Sequence, residues 1–143
     1  MRDRRLAPSL PSRSLSLIEV FFFLPSVFDI TVVDSVLVTT GAGLNFSRPC
    51  ITNPTPASGS FSISGTNLTA GNITVGPLTG YTFSTASAGP YTATVTVAQT
   101  GTLASTTVYV NFTPTAAISY NGNISISGGG ANAVNVVASG TGV

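Results

Sequence analysis

Apolar and polar residues alternate with a period of two over most of the chain after residue 59. The alternation is most regular between Thr106 and Gly140, where three runs have their apolar residues at Val108, Val110 and Phe112, at Ile124 and Ile126, and at Val134 and Val136. A period of two places alternate side chains on the same face of a β-strand. Residues typical of turns separate the runs. This part of the chain is therefore predicted to form three strands.

Three short runs and one longer run upstream have the same period. Their apolar residues are Phe61 and Ile63; Ile73 and Val75; Tyr81 and Phe83; and Tyr91, Ala93, Val95 and Val97. These runs bring the predicted number of strands to seven. The stretch from Asn53 to Gly59 contains two prolines and is predicted to be a loop.

Two stretches nearer the N-terminus are also rich in strand-forming residues. Asp29 to Thr40 contains many β-branched residues and is predicted to be the first strand of the domain or the end of a preceding segment. Leu44 to Phe46 is predicted to be a short edge strand. No helical period is present, so the pattern predicts an all-β, antiparallel sandwich of 7–9 strands. The residues expected to point inward are Phe61, Ile63, Ile73, Val95, Val97, Val108, Val110, Ile124, Ile126, Val134 and Val136.

Charge is distributed very unevenly along the chain. All nine charged residues lie in the first 48 positions, and none follows Arg48. The chain contains no His, Lys or Trp, so its solubility must depend on Thr, Ser and Asn. Because there is no basic surface to neutralise phosphates, nucleic-acid binding is not expected. A net charge of +1 leaves little repulsion between copies, which favours self-association.

Groups that could carry chemistry are sparse. Cys50 is the single cysteine, so neither an internal disulfide nor a multi-cysteine metal site is expected. Beyond Pro49 there is no carboxylate side chain for Ca²⁺ and no His to act as a base. Asp29 and Asp34 are five positions apart, so a strand would place them on opposite faces. We expect no enzyme activity, no cofactor and no metal site.

A chain of 143 residues corresponds to one domain, large enough to bury a core without disulfides. We divide it into an N-terminal extension, residues 1–34, and a β-sandwich domain, residues 35–143. The change in composition supports this division, because the charged residues are concentrated in the first part.

The N-terminal extension permits several interpretations. Its early arginines and the apolar stretch Val20 to Phe28 resemble a secretory signal, although Arg13 and Glu19 interrupt the pattern. The stretch is nine residues long, whereas a membrane span needs about 20. A degenerate or mis-started signal, a retained strand-forming arm, a remnant of a preceding module and a start-site artefact all remain open. If the arm is retained, we expect self-association through Val20, Phe21, Phe23 and Val27.

Two segments resemble a known repeat. The segments SFSISGTNLTAGNITVGPLTGYTFST and TTVYVNFTPTAAISYNGNISISGGGANAVNVVASGTG are similar to the Ig-like repeat common in large secreted and surface proteins of Bacteroidetes. The match spans Val36 to Val143 and implies an extracellular or cell-surface immunoglobulin-like β-sandwich, used as a spacer, stalk or adhesive module. Tyr120, after the corner that follows Pro114, resembles the tyrosine corner of such sandwiches. The repeat usually has Arg where this chain has Asn111.

Sugar attachment is the other chemistry that the sequence permits. Asn-X-Ser/Thr patterns occur at Asn45, Asn67, Asn72, Asn111 and Asn123. The tripeptide that begins at Asp34 resembles the Asp-Ser/Thr-apolar acceptor of O-glycosylation in Bacteroidetes, which makes Ser35 a candidate. Attached sugars would supply the hydration that charges do not.

Two functions are consistent with the sequence. The first is a passive module of a surface protein, which acts as a spacer or stalk and binds weakly to carbohydrate or to a neighbouring module. The alternative is a subunit of an extracellular filament, in which Leu17 to Val33 of one copy adds as a strand to the sheet edge of the next. A spacer is monomeric when purified, whereas a filament subunit forms ladders that resist dissociation.

Overall fold

The computed structural model describes residues 34–47 and 56–143. Within these ranges the chain forms β-strands and no helix. The strands are β1 (Val36–Thr40), β2 (Leu44–Ser47), β3 (Ala57–Thr66), β4 (Gly71–Val75), β5 (Tyr81–Ser84), β6 (Val95–Gln99), β7 (Leu103–Phe112), β8 (Gly122–Gly128) and β9 (Ala131–Thr141). The predictions for residues 1–33, which include the candidates Val20, Phe21, Phe23 and Val27, and for Cys50 lie outside the described residues.

The strands form two sheets. Sheet A has the order β1-β3-β7-β5, and all of its pairs are antiparallel. Sheet B has the order β2-β9-β8-β4-β6, and its β2-β9 pair is parallel. The prediction of a wholly antiparallel sandwich is therefore wrong for this pair. Residues 41–43 alone connect β1 in sheet A to β2 in sheet B. Three residues are too few for a long loop, so β2 begins close to the end of β1.

Both sheets contribute to one apolar core. Of the eleven residues predicted to point inward, eight are buried, while Val95, Val97 and Val134 are partly buried and pack against the core. Aromatic rings join the two sheets: the ring of Phe112 in β7 lies 5.7 Å from that of Phe46 in β2, measured between centroids. Phe112 is also 4.9 Å from Tyr81 in β5. This arrangement is a two-layer β-sandwich with a continuous interior.

A glycine permits close packing between the two sheets. A Cβ atom built on Gly140 of β9 would lie 2.6 Å from the ring of Phe112 and 2.9 Å from the hydroxyl of Tyr81. Such distances are shorter than ordinary van der Waals contact, so any side chain here would displace the ring. The absence of a side chain at Gly140 thus leaves room for the stacked rings of Tyr81 and Phe112.

Two predicted strand boundaries are wrong. β3 begins at Ala57 inside the predicted loop, because residues 57–59 pair with the end of β7, from Phe112 to Val110. The predicted strand that starts at Tyr91 instead becomes regular only at Val95. Its first half crosses between the sheets, since Thr92 forms an isolated bridge with Phe83 in sheet A, whereas Val95 pairs with β4 in sheet B.

Candidate functional site: the lateral groove between β1 and β9

Part of β9 has an open edge. β8 pairs with β9 from Ala131 to Ala138, whereas β2 pairs with its other side only from Ala138 to Thr141. Within the described ranges, residues 131–137 therefore have a strand neighbour on one side only. Unpaired N–H and C=O groups of this kind can accept a further strand.

β1 provides a second open edge beside the first. It pairs with β3 on one side and has no strand on the other side in the part of the chain that the structure describes. β1 also lies next to β9, although the two strands belong to different sheets. One flank of the sandwich thus carries two neighbouring open edges.

A surface groove of about 420 Å³ separates these edges, and we call it the lateral groove. Its lining is mixed in character. The apolar part includes Leu37, which is buried, and Val134, which is half-buried, while Asp34, Ser35 and Asn132 provide polar groups. Asp34 is the only charged side chain within residues 34–47 and 56–143. The lateral groove is therefore lined by both apolar and polar side chains, including one carboxylate.

Exposed valines flank the lateral groove on both sides. Val36 and Val38 of β1 are 45% and 44% exposed, and their register with Thr66 and Ser64 places them on the outer face of sheet A. Val137 of β9 is 61% exposed. A single exposed valine is ordinary on a protein surface. Val36 also lines the lateral groove, whereas Val137 lies on the outer face of sheet B because its neighbours Val136 and Ala138 are buried. A ligand in the groove that covers Val36 would therefore gain stability from its burial.

Ser35, the candidate for O-glycosylation, lies in the lining of the lateral groove. Its hydroxyl donates a hydrogen bond to the carbonyl oxygen of Asn67 at 2.5 Å. Asn67 itself has a φ of 54°, in the left-handed region that asparagine tolerates better than most residues. Attachment of a sugar to Ser35 would replace the hydroxyl hydrogen and so remove this bond.

The asparagine candidates lie in different environments. Asn45, Asn72 and Asn123 are exposed on three strands of sheet B, each next to an inward-facing residue, so they project from its outer face. Asn67 is exposed in the connection between β3 and β4. Asn111 is half-buried in the central strand β7, and its side-chain oxygen has no hydrogen-bond partner among the described residues. Asn111 is therefore the least accessible of the five for an enzyme that attaches sugars.

Tyr120 fixes the corner before β8. Its hydroxyl accepts hydrogen bonds from the backbone N–H groups of Ala116 at 3.0 Å and Thr115 at 3.2 Å. Its own carbonyl oxygen accepts a buried hydrogen bond from the Tyr81 hydroxyl at 2.7 Å. The side-chain hydrogen bond with Thr115 is the main cause that lowers the pKa of Tyr120, while burial raises the pKa of Tyr81 to about 12. Both phenols hold backbone in place, so neither is free to act on a ligand.

The stability of the domain is expected to fall as the pH rises from about 10 to about 12. Unfolding exposes Tyr81 and returns its pKa from about 12 to 10.0, so across this window the folded state binds more protons than the unfolded state. The free energy of unfolding therefore decreases there. Urea denaturation at several pH values measures the effect, and Tyr81→Phe should flatten the decrease. An equally steep decrease in the free energy of unfolding of Tyr81→Phe would contradict this explanation. The lowered pKa of Tyr120 has the opposite effect on stability, but it is present in both the unsubstituted protein and the variant.

The described residues hold no group of three or more side chains suited to bind a metal ion. They also contain no helix with the length and apolarity needed to cross a membrane.

The lateral groove is not among the sites predicted from the sequence. Val134, predicted to point inward, is partly buried against the core and also lines the lateral groove. One signal was available in the sequence. Three consecutive apolar residues, Val36 to Val38, cannot all point inward from one strand, so such a run indicates an apolar surface on the outside of the sandwich.

No protein-family model matches the chain, and no curated protein sequence matches it. The fold and the lateral groove are therefore the basis for the proposals that follow.

Proposed function

We propose that residues 35–143 form an immunoglobulin-like module that serves as a structural or adhesive part of an extracellular or cell-surface protein. Strand order supports the immunoglobulin-like assignment. If β1, β3, β4, β5, β7, β8 and β9 are named A to G, sheet A has the order A-B-E-D and sheet B contains G-F-C, as in constant-type immunoglobulin domains. β2 is then an addition beside G, and β6 is an addition beside C that comes between D and E in the chain.

The corner at Tyr120 supports the same assignment. In immunoglobulin-like domains a tyrosine near the start of strand F bonds through its hydroxyl to backbone a few residues upstream. Tyr120 precedes β8, the strand in the position of F, and its hydroxyl bonds to residues four and five positions earlier.

The structural role is supported by one main observation: buried polar side chains form hydrogen bonds with the backbone. Besides the two tyrosines, the buried amide of Gln99 donates to the carbonyl of Thr69 and accepts from the N–H of Gly101, both at 2.6 Å. These groups secure turns and corners. A catalytic site instead needs titratable groups that converge on a cleft and remain available to a substrate. We therefore propose a module without enzyme activity or cofactor.

A neutral, hydroxyl-rich surface suits contact with carbohydrate or with neighbouring modules. The outer face of sheet B offers Asn, Ser and Thr side chains across its five strands, including Asn45, Asn72 and Asn123. We propose these three asparagines as the more accessible sugar-attachment positions, with Asn67, Asn111 and Ser35 as further candidates. Sugars on this face would leave the lateral groove between β1 and β9 uncovered.

The molar mass of the purified full-length protein tests the structural proposal. A passive module is expected to remain a monomer of 14.4 kDa, plus the mass of any attached sugar, in light scattering after size-exclusion chromatography. Sedimentation with insoluble polysaccharides then tests adhesion, with a charged globular protein of similar size as the control. A ladder of larger species that survives dilution would contradict the passive module.

The second candidate function is a filament subunit, and the two open edges beside the lateral groove favour it. Natural sheets protect exposed edges with Lys, Pro, bulges or inward-pointing charges. β1 and the open part of β9 contain no charged residue, so the one such device here is the irregularity in the pairing of β8 with β9 between Ile126 and Gly128. Addition of the segment Leu17 to Val33 of one copy to such an edge on the next would give an open polymer.

Phe23→Asp tests the filament candidate. A carboxylate within the apolar arm opposes its burial, so the substitution is expected to abolish the larger species while the circular dichroism spectrum of the sandwich is kept. Ser12→Asp, in the N-terminal extension but outside the segment Leu17 to Val33, serves as the comparison. Equal assembly of the Phe23→Asp variant and the unsubstituted protein would refute the candidate.

A further inference from the structure

We propose that the lateral groove is the acceptor site for a β-strand supplied by a second copy of this chain, and that the incoming strand is Val20 to Phe28. This inference rests on the filament candidate of the proposed function and identifies which edge of the sandwich receives the strand.

The other edges are less suitable. The outer side of β5 is already occupied, because the N–H of Phe83 donates to the carbonyl of Thr92 at 2.7 Å and the N–H of Thr92 donates back at 2.9 Å. Neither β6 nor β2, the two outer strands of sheet B, has an exposed large apolar residue. In contrast, the exposed Val36 lines the lateral groove, and Val38 and Val137 lie further along the two strands that border it. Among the described edges, the lateral groove therefore combines unpaired backbone with apolar surface.

The length of the open edge of β9 suits the proposed strand. The open part of β9, residues 131–137, is seven residues long, which corresponds to about 23 Å of strand. Val20 to Phe28 contains nine residues without charge, and Glu19 and Asp29 border it on either side. The uncharged stretch can therefore fill the open edge while both carboxylates stay in water. Its phenylalanines and valines are residues that strands favour. Pro25 has no N–H to donate, so it must occupy a position of the added strand that faces away from β9.

The point at which the N-terminal extension joins the domain limits which groove a donated strand can reach. Asp34 and Ser35 line the lateral groove, so the preceding segment joins the domain at the groove itself. Residues 29–33 connect Phe28 to Asp34 and span at most about 20 Å when extended. A strand donated to a neighbour must therefore enter a groove close to the donor's own. Repetition of this head-to-tail contact gives a filament in which every internal groove is occupied.

Photo-crosslinking of the full-length protein tests the site. A benzophenone amino acid replaces Asn132, which is exposed in the lateral groove, or Thr96, which is exposed on β6 as the matched control. Each variant is assembled from an equal mixture of ¹⁵N-labelled and unlabelled copies before irradiation, and the linked peptides are identified by mass spectrometry. The expected result is several-fold more linkage from position 132 than from position 96, to residues 20–28, with mixed isotope pairs.

The outcomes separate this inference from the filament candidate. Assembly with equal or greater linkage from position 96, or linkage from position 132 to another segment, would overturn the groove assignment and leave the filament candidate standing. Linkage without mixed isotope pairs would show that the strand comes from the same chain, which also overturns the inference. Absence of both larger species and linkage between copies would reject the filament candidate together with the groove assignment.

Discussion

Replacing Phe112 by Ala is expected to lower the free energy of unfolding by about 3–5 kcal/mol. The side chain is fully buried, and its ring contacts the rings of Phe46 and Tyr81 from the two sheets and of Tyr120 at the corner. Truncation removes the burial of a large ring and leaves a cavity at the meeting point of both sheets. Guanidinium unfolding measures the change. Circular dichroism is the suitable signal, because the chain has no Trp whose fluorescence could report unfolding.

Thr96→Ala is the matched control for Phe112→Ala. Thr96 is exposed on the edge strand β6, so its truncation is expected to change the free energy of unfolding by less than about 0.5 kcal/mol. An equal change in the free energy of unfolding for both substitutions would contradict the stabilising role of the buried Phe112 ring.

Replacing Tyr120 by Phe is expected to cost about 1–3 kcal/mol of stability, although it removes a single oxygen atom. The backbone N–H groups of Thr115 and Ala116 lose their acceptor, while the ring and its packing on Phe112 remain. Chemical denaturation measures the loss, and faster hydrogen exchange at these two amides would localise it to the corner.

Tyr91→Phe provides the comparison for Tyr120→Phe. The Tyr91 hydroxyl also bonds to backbone, at the carbonyl of Ser87, but this bond is exposed. Water replaces the lost donor there, so a change below about 0.5 kcal/mol is expected. A loss for Tyr91→Phe as large as that for Tyr120→Phe would contradict the role of the buried corner.

The all-β class and most of the core could be predicted because alternation in the sequence coincides with burial. Ile124 and Ile126 alternate with Ser125 and Ser127, and both isoleucines are fully buried in β8. The weaker predictions involve residues whose local pattern is overridden by tertiary pairing. Tyr91 belongs to an alternating run, yet the chain uses that region to cross between sheets. Small residues such as Gly59 form a strand only because β7 extends beside them.

The lateral groove could not be predicted from local pattern. It exists because β2 covers four residues of β9 rather than its whole length, and because β1 lies nearby in the other sheet. Both facts concern the pairing of residues far apart in sequence. The asparagine patterns show a related limit, since Asn111 and Asn123 fit the same motif but only Asn123 is exposed. A motif specifies chemistry, and the fold decides whether that chemistry is accessible.

The parallel pairing of β2 with β9 determines how the domain resists a pulling force. Tension along the chain pulls β2 toward its N-terminal end and β9 toward its C-terminal end. Because these strands are parallel, the two forces act in opposite directions along neighbouring strands. The hydrogen bonds between Leu44–Ser47 and Ala138–Thr141 are then loaded together in shear, instead of opening one after another. In an antiparallel pair at the same place, the hydrogen bonds would break one after another. We therefore expect the parallel contact to make the sandwich more resistant to extension.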